Sequence, residues 1–402
     1  MNAAILVLLA VFVCLAAFRV PVGLAMLGGG IAYLFWTGQD IGLLTDQVAG
    51  RLFASYTLIA IPMFIFAANV MNSSRITDRI VSVAAFALGW LPGGMAHANV
   101  ASSVVFSGMS GSAVADVAGP GRVLMRMMTH GGKYTPGFAG AVTAASATIG
   151  PIIPPSIPVV IYASVSNASV GALFLGGIIP GLLMAVAMMV LIALISWRRG
   201  IRGEMSLSLS DARAAIIEAI LPLFMPVILL SGIYLGVTTA TEAAAVAALY
   251  ALVLSAFVYR TLGLNSLYEN LVETVRESSI VAVTIAGAFI ISFAITNERF
   301  PDALATWILD LDLSPIGLMI AINVLFLLLG CFLDVSVMLL VLVPLLIPAV
   351  ILSGIDLVHF GIVIIINIMI GLITPPYGLI LFVIASLTDT PLKAIIREVW
   401  PF

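Results

Sequence analysis

Ile149-Gly150-Pro151-Ile152-Ile153-Pro154-Pro155 returns later in the chain as Ile370-Gly371-Leu372-Ile373-Thr374-Pro375-Pro376. Five of the seven positions are identical, at one constant offset (371 − 150 = 221). Proline has no backbone N–H, clashes with the preceding turn and pushes its predecessor out of the α region. Neither stretch can therefore be continuous α-helix, although both lie inside apolar runs. Two helices broken in the same way, one in each half of a membrane chain, point to a transporter's binding site.

The surroundings are those of a membrane protein. Of 402 residues, 62% are hydrophobic and only 9% charged, and the mean hydropathy is +1.23. Many apolar runs reach the ~20 residues that span a hydrocarbon core. The chain thus reads as an all-α polytopic bundle with no room for a soluble domain. The first apolar run, 3–18, lacks a basic leader and a small-residue cleavage site, so it is read as a membrane helix. Cys14 and Cys331 both lie in apolar runs and read as small packing residues. There is no P-loop, no His-Glu-x-x-His and no Cys/His metal cluster, which excludes ATP-driven transport within this chain. A Ser110/His97 hydrolase is conceivable, but nothing fixes the base beside the nucleophile.

From the breaks outward, the pattern predicts helices over 3–18 and 22–36 and an amphipathic interfacial arm over 40–54. A helix over 55–71 and a second interfacial helix over 73–90 follow. A segment over 95–128 is interrupted at Ser107-Gly108-Met109-Ser110-Gly111-Ser112. The broken helix 137–165 and a long helix 170–197 complete the first series. After a basic linker, 198–213, the series restarts with helices 214–235 and 242–259, an arm 262–277, a helix 278–296 and a polar stretch through Asp312. A second interrupted segment, 315–352, precedes the second broken helix, 356–387. A partner for helix 170–197 is expected near Thr390, so the chain either stops short of it at Phe402 or lacks it. The organisation is two repeats, 1–197 and 214–402, each with a re-entrant hairpin and a broken helix.

Charge sets the orientation. With the linker cytoplasmic and each interrupted segment a hairpin, fourteen of the 16 Lys and Arg fall inside, leaving Arg51 and Arg299 outside. The N-terminus is then outside and the two repeats are inverted.

Three hydroxyls and several freed carbonyls around Ser107, Ser110 and Ser112 suit a hard cation, and the glycines allow close backbone approach. Small residues serving only helix packing would give the same composition. At Gly150–Ser156 and Gly371–Pro376 unwound carbonyls can ligate a cation, and the helix N-termini beyond each break suit a carboxylate. Thr148 and Thr374 add hydroxyls. Asp116 and Asp334 each follow an interrupted tip, at nearly the repeat offset (334 − 116 = 218), and are read either as functional carboxylates or as helix caps. Arg299 either binds a substrate carboxylate or pairs with Glu298 or Asp302. His97, Asn69, Asn99, Asn323 and Asn367 are expected to hydrogen-bond between helices.

The motifs Ser107-Gly-Met-Ser-Gly-Ser-Ala-Val-Ala-Asp116, Gly150-Pro-Ile-Ile-Pro-Pro-Ser-Ile-Pro158 and Gly371-Leu-Ile-Thr-Pro-Pro-Tyr-Gly378 resemble the large membrane subunit of TRAP transporters. These are tripartite, binding-protein-dependent secondary transporters, and the likeness covers essentially the whole chain. The resemblance implies an elevator-type transport domain moving against a scaffold, sodium (Na+) coupling, a small four-helix membrane subunit and a periplasmic solute-binding protein. It implies organic acids as substrates, among them C4-dicarboxylates and sialic acids. Carried onto this chain, the sodium sites map to Ser107, Ser110 and Ser112 with Gly150, Ile153 and Pro155. The second set is Gly330 and Asp334 with Gly371 and Thr374. Pro154, Ser156, Pro375 and Arg299 are the candidate substrate contacts. The expectation is a sodium-coupled importer of an organic anion, not an enzyme, in the bacterial inner membrane. The rivals are a self-sufficient carboxylate/sodium symporter and an ion channel.

Overall fold

The computed structural model describes residues 3–74, 76–203 and 209–402. Arg75, one of the cations assigned to the inner side, and the 204–208 part of the linker lie outside the described residues. Every regular element among the described residues is helical. Six helices are long and apolar enough to cross a membrane: Tyr56–Ser73, Val170–Arg198, Ile216–Tyr234, Ala240–Val258, Leu264–Asn297 and Val335–Leu352. Shorter apolar helices include Ala3–Ala17, Val22–Thr37, Pro315–Gly330 and Leu357–Gly371. The long helix Val170–Arg198 shows how a lipid face is made. Leu175, Ile179, Leu183, Val186, Val190 and Leu194 recur at helical spacing and are all exposed.

Each interrupted segment folds back as a hairpin. In the first, Gly94–Ser110 stops at Gly111, whose φ of 62° is left-handed, and Ser112 caps the returning helix by accepting from the Ala115 N–H. In the second, Pro315–Gly330 stops at Cys331, and Asp334 caps the return by accepting from the Ser336 N–H. A five-residue π-helical turn follows each cap, Val117–Gly121 in the first and Met338–Leu342 in the second. Their starts keep the offset of the sequence repeat (338 − 117 = 221), as do the caps Thr135 and Asp356 that open the two broken helices. The broken helices run Pro136–Ala147 then Ile157–Ser166, and Leu357–Gly371 then Leu379–Thr388. The Pro154-Pro155 and Pro375-Pro376 peptide bonds are both cis.

The two broken helices meet in the core. Tyr162 donates its hydroxyl to the Leu357 carbonyl at 2.6 Å and packs against Phe360 with ring centroids 6.4 Å apart. Each hairpin is clasped to its own broken helix by a polar pair, buried in the first half and part-buried in the second. Asn99 donates to Thr143 Oγ1 at 2.7 Å, and Asn367 donates to Asn323 Oδ1 at 2.9 Å. These bonds meet the sequence expectation for three of the apolar-run asparagines, and Asn69 follows by donating to Thr274 Oγ1 at 3.2 Å. A separate seam joins Val22–Thr37 to Leu264–Asn297. A Cβ on Gly23 would lie 2.8 Å from the Thr284 nitrogen, and one on Gly287 would lie 2.6 Å from the Gly23 carbonyl oxygen. Small residues let these backbones touch, the usual means of tight helix packing in lipid.

Three expectations are corrected. The arm 262–277 and the helix 278–296 are one continuous helix, Leu264–Asn297, because nothing between them breaks helical geometry. The polar stretch before Asp312 contains the helix Phe300–Asp310. Asp116 and Asp334 are not counterparts: Asp334 holds the cap position that Ser112 holds in the first hairpin, within one position of the repeat offset. Near Thr390, where a partner for the long helix was expected, Leu392–Val399 begins within one position of the same offset from Val170. It packs into the first half, with Ala394 against Gly137 and Arg199 paired to Glu398 at 2.6 Å.

Candidate functional site

The site begins with two backbone hydrogen bonds. Ile157, just past the first break, donates its N–H to the carbonyl of Gly111 at the first hairpin tip, 3.4 Å. Tyr377, just past the second break, donates to the carbonyl of Cys331 at the second tip, 3.3 Å. The two donors are as far apart along the chain as the two acceptors (377 − 157 = 331 − 111). Each tip is thus tied to the Pro-Pro break of its own half. Glycine makes the approach possible. Gly111 combines left-handed φ with a Pro155 carbonyl pressed where a Cβ would stand. In the second half a Cβ on Gly371 would lie 2.9 Å from Gly330 Cα.

Both tips face one cavity of about 370 Å³. Ser110, Gly111 and Ser112 line it from the first tip, and Asp334, Val335 and Ser336 from the second. Pro151, Ile157 and Pro158 come from the first break, and Leu372 and Leu379 from the second. The helices beyond the breaks therefore begin at the cavity wall, where the positive ends of their dipoles favour negative charge. The far wall is built by two other helices. Asn69 and Asn72 belong to Ala60–Ser73, and Glu277, Ile280 and Val281 to Leu264–Asn297. Asn69 Nδ2 lies 3.5 Å from Glu277 Oε2, and Asn270 donates to Ser73 Oγ at 2.7 Å, so a polar ladder joins these two helices. No Lys or Arg is among the described residues lining the cavity.

The expected site residues fall into three groups. Ser110, Ser112 and Asp334 line the cavity. Ser107, Gly150, Ile153, Pro154, Pro155, Gly330 and Gly371 are buried outside the cavity lining, and Gly150, Pro154, Pro155, Gly330 and Gly371 lie in the tip-to-break contacts. Ser107 donates to the Ser103 carbonyl at 2.5 Å, and Thr148 to the Ala145 carbonyl at 2.6 Å. Thr374, half-buried, likewise donates to the Ile370 carbonyl at 2.7 Å, a bond that leaves its oxygen able to accept. Ser156 is spent on its own loop, donating to the Pro151 carbonyl and accepting from Val159 N–H. Pro375 is half-buried at the second break. Arg299 stands apart from the cavity lining, at a φ of 52°, beside an Asn297–Tyr33–Glu298 hydrogen-bonded cluster. Asp116 is buried at 1% exposure, with Oδ1 unpartnered among the described residues. Glu277 and Asn72 escaped the sequence reading. A carboxylate ending an apparent surface arm gives no local sign of facing a cavity, and only the unbroken helix shows it.

The model of the tripartite ATP-independent periplasmic transporter, DctM component, matches residues 8–402. The chain belongs to that family. It is 42% identical to the sialic acid TRAP transporter large permease protein SiaM of Vibrio cholerae, over 95% of this chain and 89% of that one. It is 35% identical to the C4-dicarboxylate TRAP transporter large permease protein DctM of Pseudomonas aeruginosa, over 94% and 88%. An isethionate TRAP transporter permease protein, DctMQ of Oleidesulfovibrio alaskensis, is 39% identical over 88% of this chain and 56% of its own length. The crystal structure of the Alcanivorax borkumensis YdaH transporter superposes with a TM-score of 0.64 at 15% identity, covering 90% of this chain and 85% of that one. That likeness is one of fold. This TRAP large permease has its cavity beside the unwound backbone of both hairpin tips and both breaks.

Proposed function

We propose that this TRAP large permease couples inward sodium movement to import of an organic anion, handed over by a periplasmic solute-binding protein. The observation that carries this reading is the matched pair of tip-to-break hydrogen bonds, Ile157 to Gly111 and Tyr377 to Cys331, on two hairpins whose Ser110–Ser112 and Asp334–Ser336 line one cavity. Non-helical backbone at membrane depth persists where it is packed in protein or lines a wet cavity. Here it supplies carbonyls, and Ser107, Ser110, Ser112, Asp334 and Thr374 add oxygens. Hard cations take oxygen ligands, and a sodium ion at each tip fits this donor set.

In this reading the ions hold the tips against Gly150, Ile153 and Pro155 on one side and Gly330 with Gly371 on the other. The cavity offers no cationic side chain among its described residues, so the anion relies on sodium and on the helix starts at Ile157 and Leu379. Residues 1–197 and 214–402 act as inverted repeats, supported by caps and π-helical turns that recur at the repeat offset or within one position of it. The hairpins and broken helices travel as one body past the wall formed by Ala60–Ser73 and Leu264–Asn297. A small four-helix subunit stands on that wall's side, in the bacterial inner membrane, with the N-terminus periplasmic. Sialic acid and C4-dicarboxylates are the substrate classes to try first, from the names of the relatives.

The test is uptake into proteoliposomes containing this chain and its small subunit, with labelled N-acetylneuraminate or succinate. Saturable uptake that needs a sodium gradient and vanishes without the binding protein is the expected result. Uptake that persists without the binding protein would instead make this a self-sufficient symporter. Uptake indifferent to sodium would sink the coupling.

A further inference from the structure

A second cavity, of about 360 Å³, lies between the amphipathic arm, the end of the first broken helix, the long helix Leu264–Asn297 and the returning arm of the second hairpin. Its lining differs in sign from that of the central cavity. Arg51 is the one charged residue among those described there, and Ser55, Ser164, Asn167 and Ser292 supply neutral polar groups. The guanidinium of Arg51 stands 5.8 Å from the ring centroid of Phe289, on the same helix that carries Glu277 into the central cavity. No ion pair is formed by Arg51 among the described residues. A guanidinium resting over a ring keeps its edge N–H donors free for a planar anion.

We propose that this outer cavity is an entry site for the carboxylate of the transported acid, with Arg51 as its counter-charge. The inference rests on the transport reading above, which places Arg51 outside. Phe289 and Glu277 are twelve residues apart on one helix, or about 18 Å at 1.5 Å per residue. One fixed wall therefore presents a cation to the acid at the outer level and a carboxylate at the central level. A carboxylate is attracted where it enters and opposed where it must leave. Electrostatic capture of this kind raises local ligand concentration before any specific contact forms. Asn167, held at a left-handed φ of 58°, and Ser292 are placed to take the acid's remaining polar groups.

Binding can be read without transport. The full chain, copurified with its small subunit, carries Cys14→Ser and a polarity-sensitive fluorophore on Ala54→Cys at the cavity rim. It is titrated in sodium-free choline buffer with N-acetylneuraminate or succinate and with the corresponding methyl esters. At least one acid should bind saturably and about tenfold more tightly than its ester. Arg51→Gln should erase that difference, Arg51→Lys should keep part of it, and Arg199→Gln, at the pair with Glu398, should leave it unchanged. Equal binding of acid and ester, or no saturable response to either acid, would overturn the proposal without recourse to a variant. So would undiminished acid preference in Arg51→Gln. Because sodium and the gradient are absent, a failure here is separate from a failure of sodium-driven uptake.

Discussion

The two hairpin sites share a backbone and differ in nearly everything attached to it. At the first, Ser107 and Ser110 are buried, as is every residue from Gly150 to Ser156. At the second, Phe332, Pro376 and Tyr377 are exposed, and Asp334 and Thr374 are half-buried. The cap is a hydroxyl in one and a carboxylate in the other. Turn positions, cis prolines and π-helical turns are shared, while side chains diverge. On the proposed sodium reading, a buried tip of neutral hydroxyls must strip its ion of water without a formal charge to help, whereas a half-buried tip with a carboxylate can hold an ion more loosely. The contrast predicts geometric selectivity at the first tip and charge compensation at the second.

The largest effect should come from Gly111→Ala. The new Cβ meets the Pro155 carbonyl, and left-handed φ costs an L-residue roughly 1–2 kcal/mol before any clash. Sodium-driven uptake should fall to background at unchanged membrane expression, and near-normal uptake would show that the first tip need not close on its break. Next is Asp334→Asn against Ser112→Ala. Asp334→Asn keeps a capping oxygen but removes the charge, so half-saturating sodium should rise by about tenfold, one charge-assisted contact's worth. Ser112→Ala costs a cap, about 1 kcal/mol, and should lower thermal stability more than sodium affinity. The reverse ranking would exchange the two roles.

A finer comparison sets Ser110→Ala against Thr374→Ala. Ser110 faces the cavity, whereas the Thr374 hydroxyl proton is committed to the Ile370 carbonyl. Ser110→Ala should raise half-saturating sodium several-fold, measured by uptake rate against sodium at fixed substrate, and Thr374→Ala should do so by less. Equal shifts would mean that the second break contributes as much as the first tip. The smallest effect is expected from Arg199→Gln at the far end of the first half. Its pair with Glu398 is partly exposed and its guanidinium stacks 4.9 Å from the Phe138 ring. The loss should be a slight fall in melting temperature, of the ~1 kcal/mol scale of surface pairs, with transport kinetics unchanged.

The sequence carried the breaks because proline and glycine act on the backbone locally. Gly150 through Pro155 announce themselves without reference to any distant residue. The tips were legible for the same reason. What was not legible is which residues complete the cavity from across the bundle. Glu277 sits one helical turn after Glu273 and directly after Arg276, a pattern that reads as a solvated arm. Only the straight path of Leu264–Asn297 brings it to the tips, and continuity is a property of the whole helix. Asp116 misled in the opposite way: its distance from Asp334 resembled the repeat spacing, but a full turn of helix separates it from the true counterpart, Ser112.

The glycine seam between Val22–Thr37 and Leu264–Asn297 has a mechanical consequence. Two rods that merely lie side by side bend independently, and their stiffnesses add. Rods locked against sliding bend as a single thicker beam, which resists far more. Gly23 against the Thr284 backbone and Gly287 against the Gly23 carbonyl put main chain on main chain, and leave little side-chain layer there in which the two helices could shear. The wall that carries Glu277 and Phe289 therefore behaves as a laminated spar. In the proposed transport cycle, the body that slides along it would meet a stiff track.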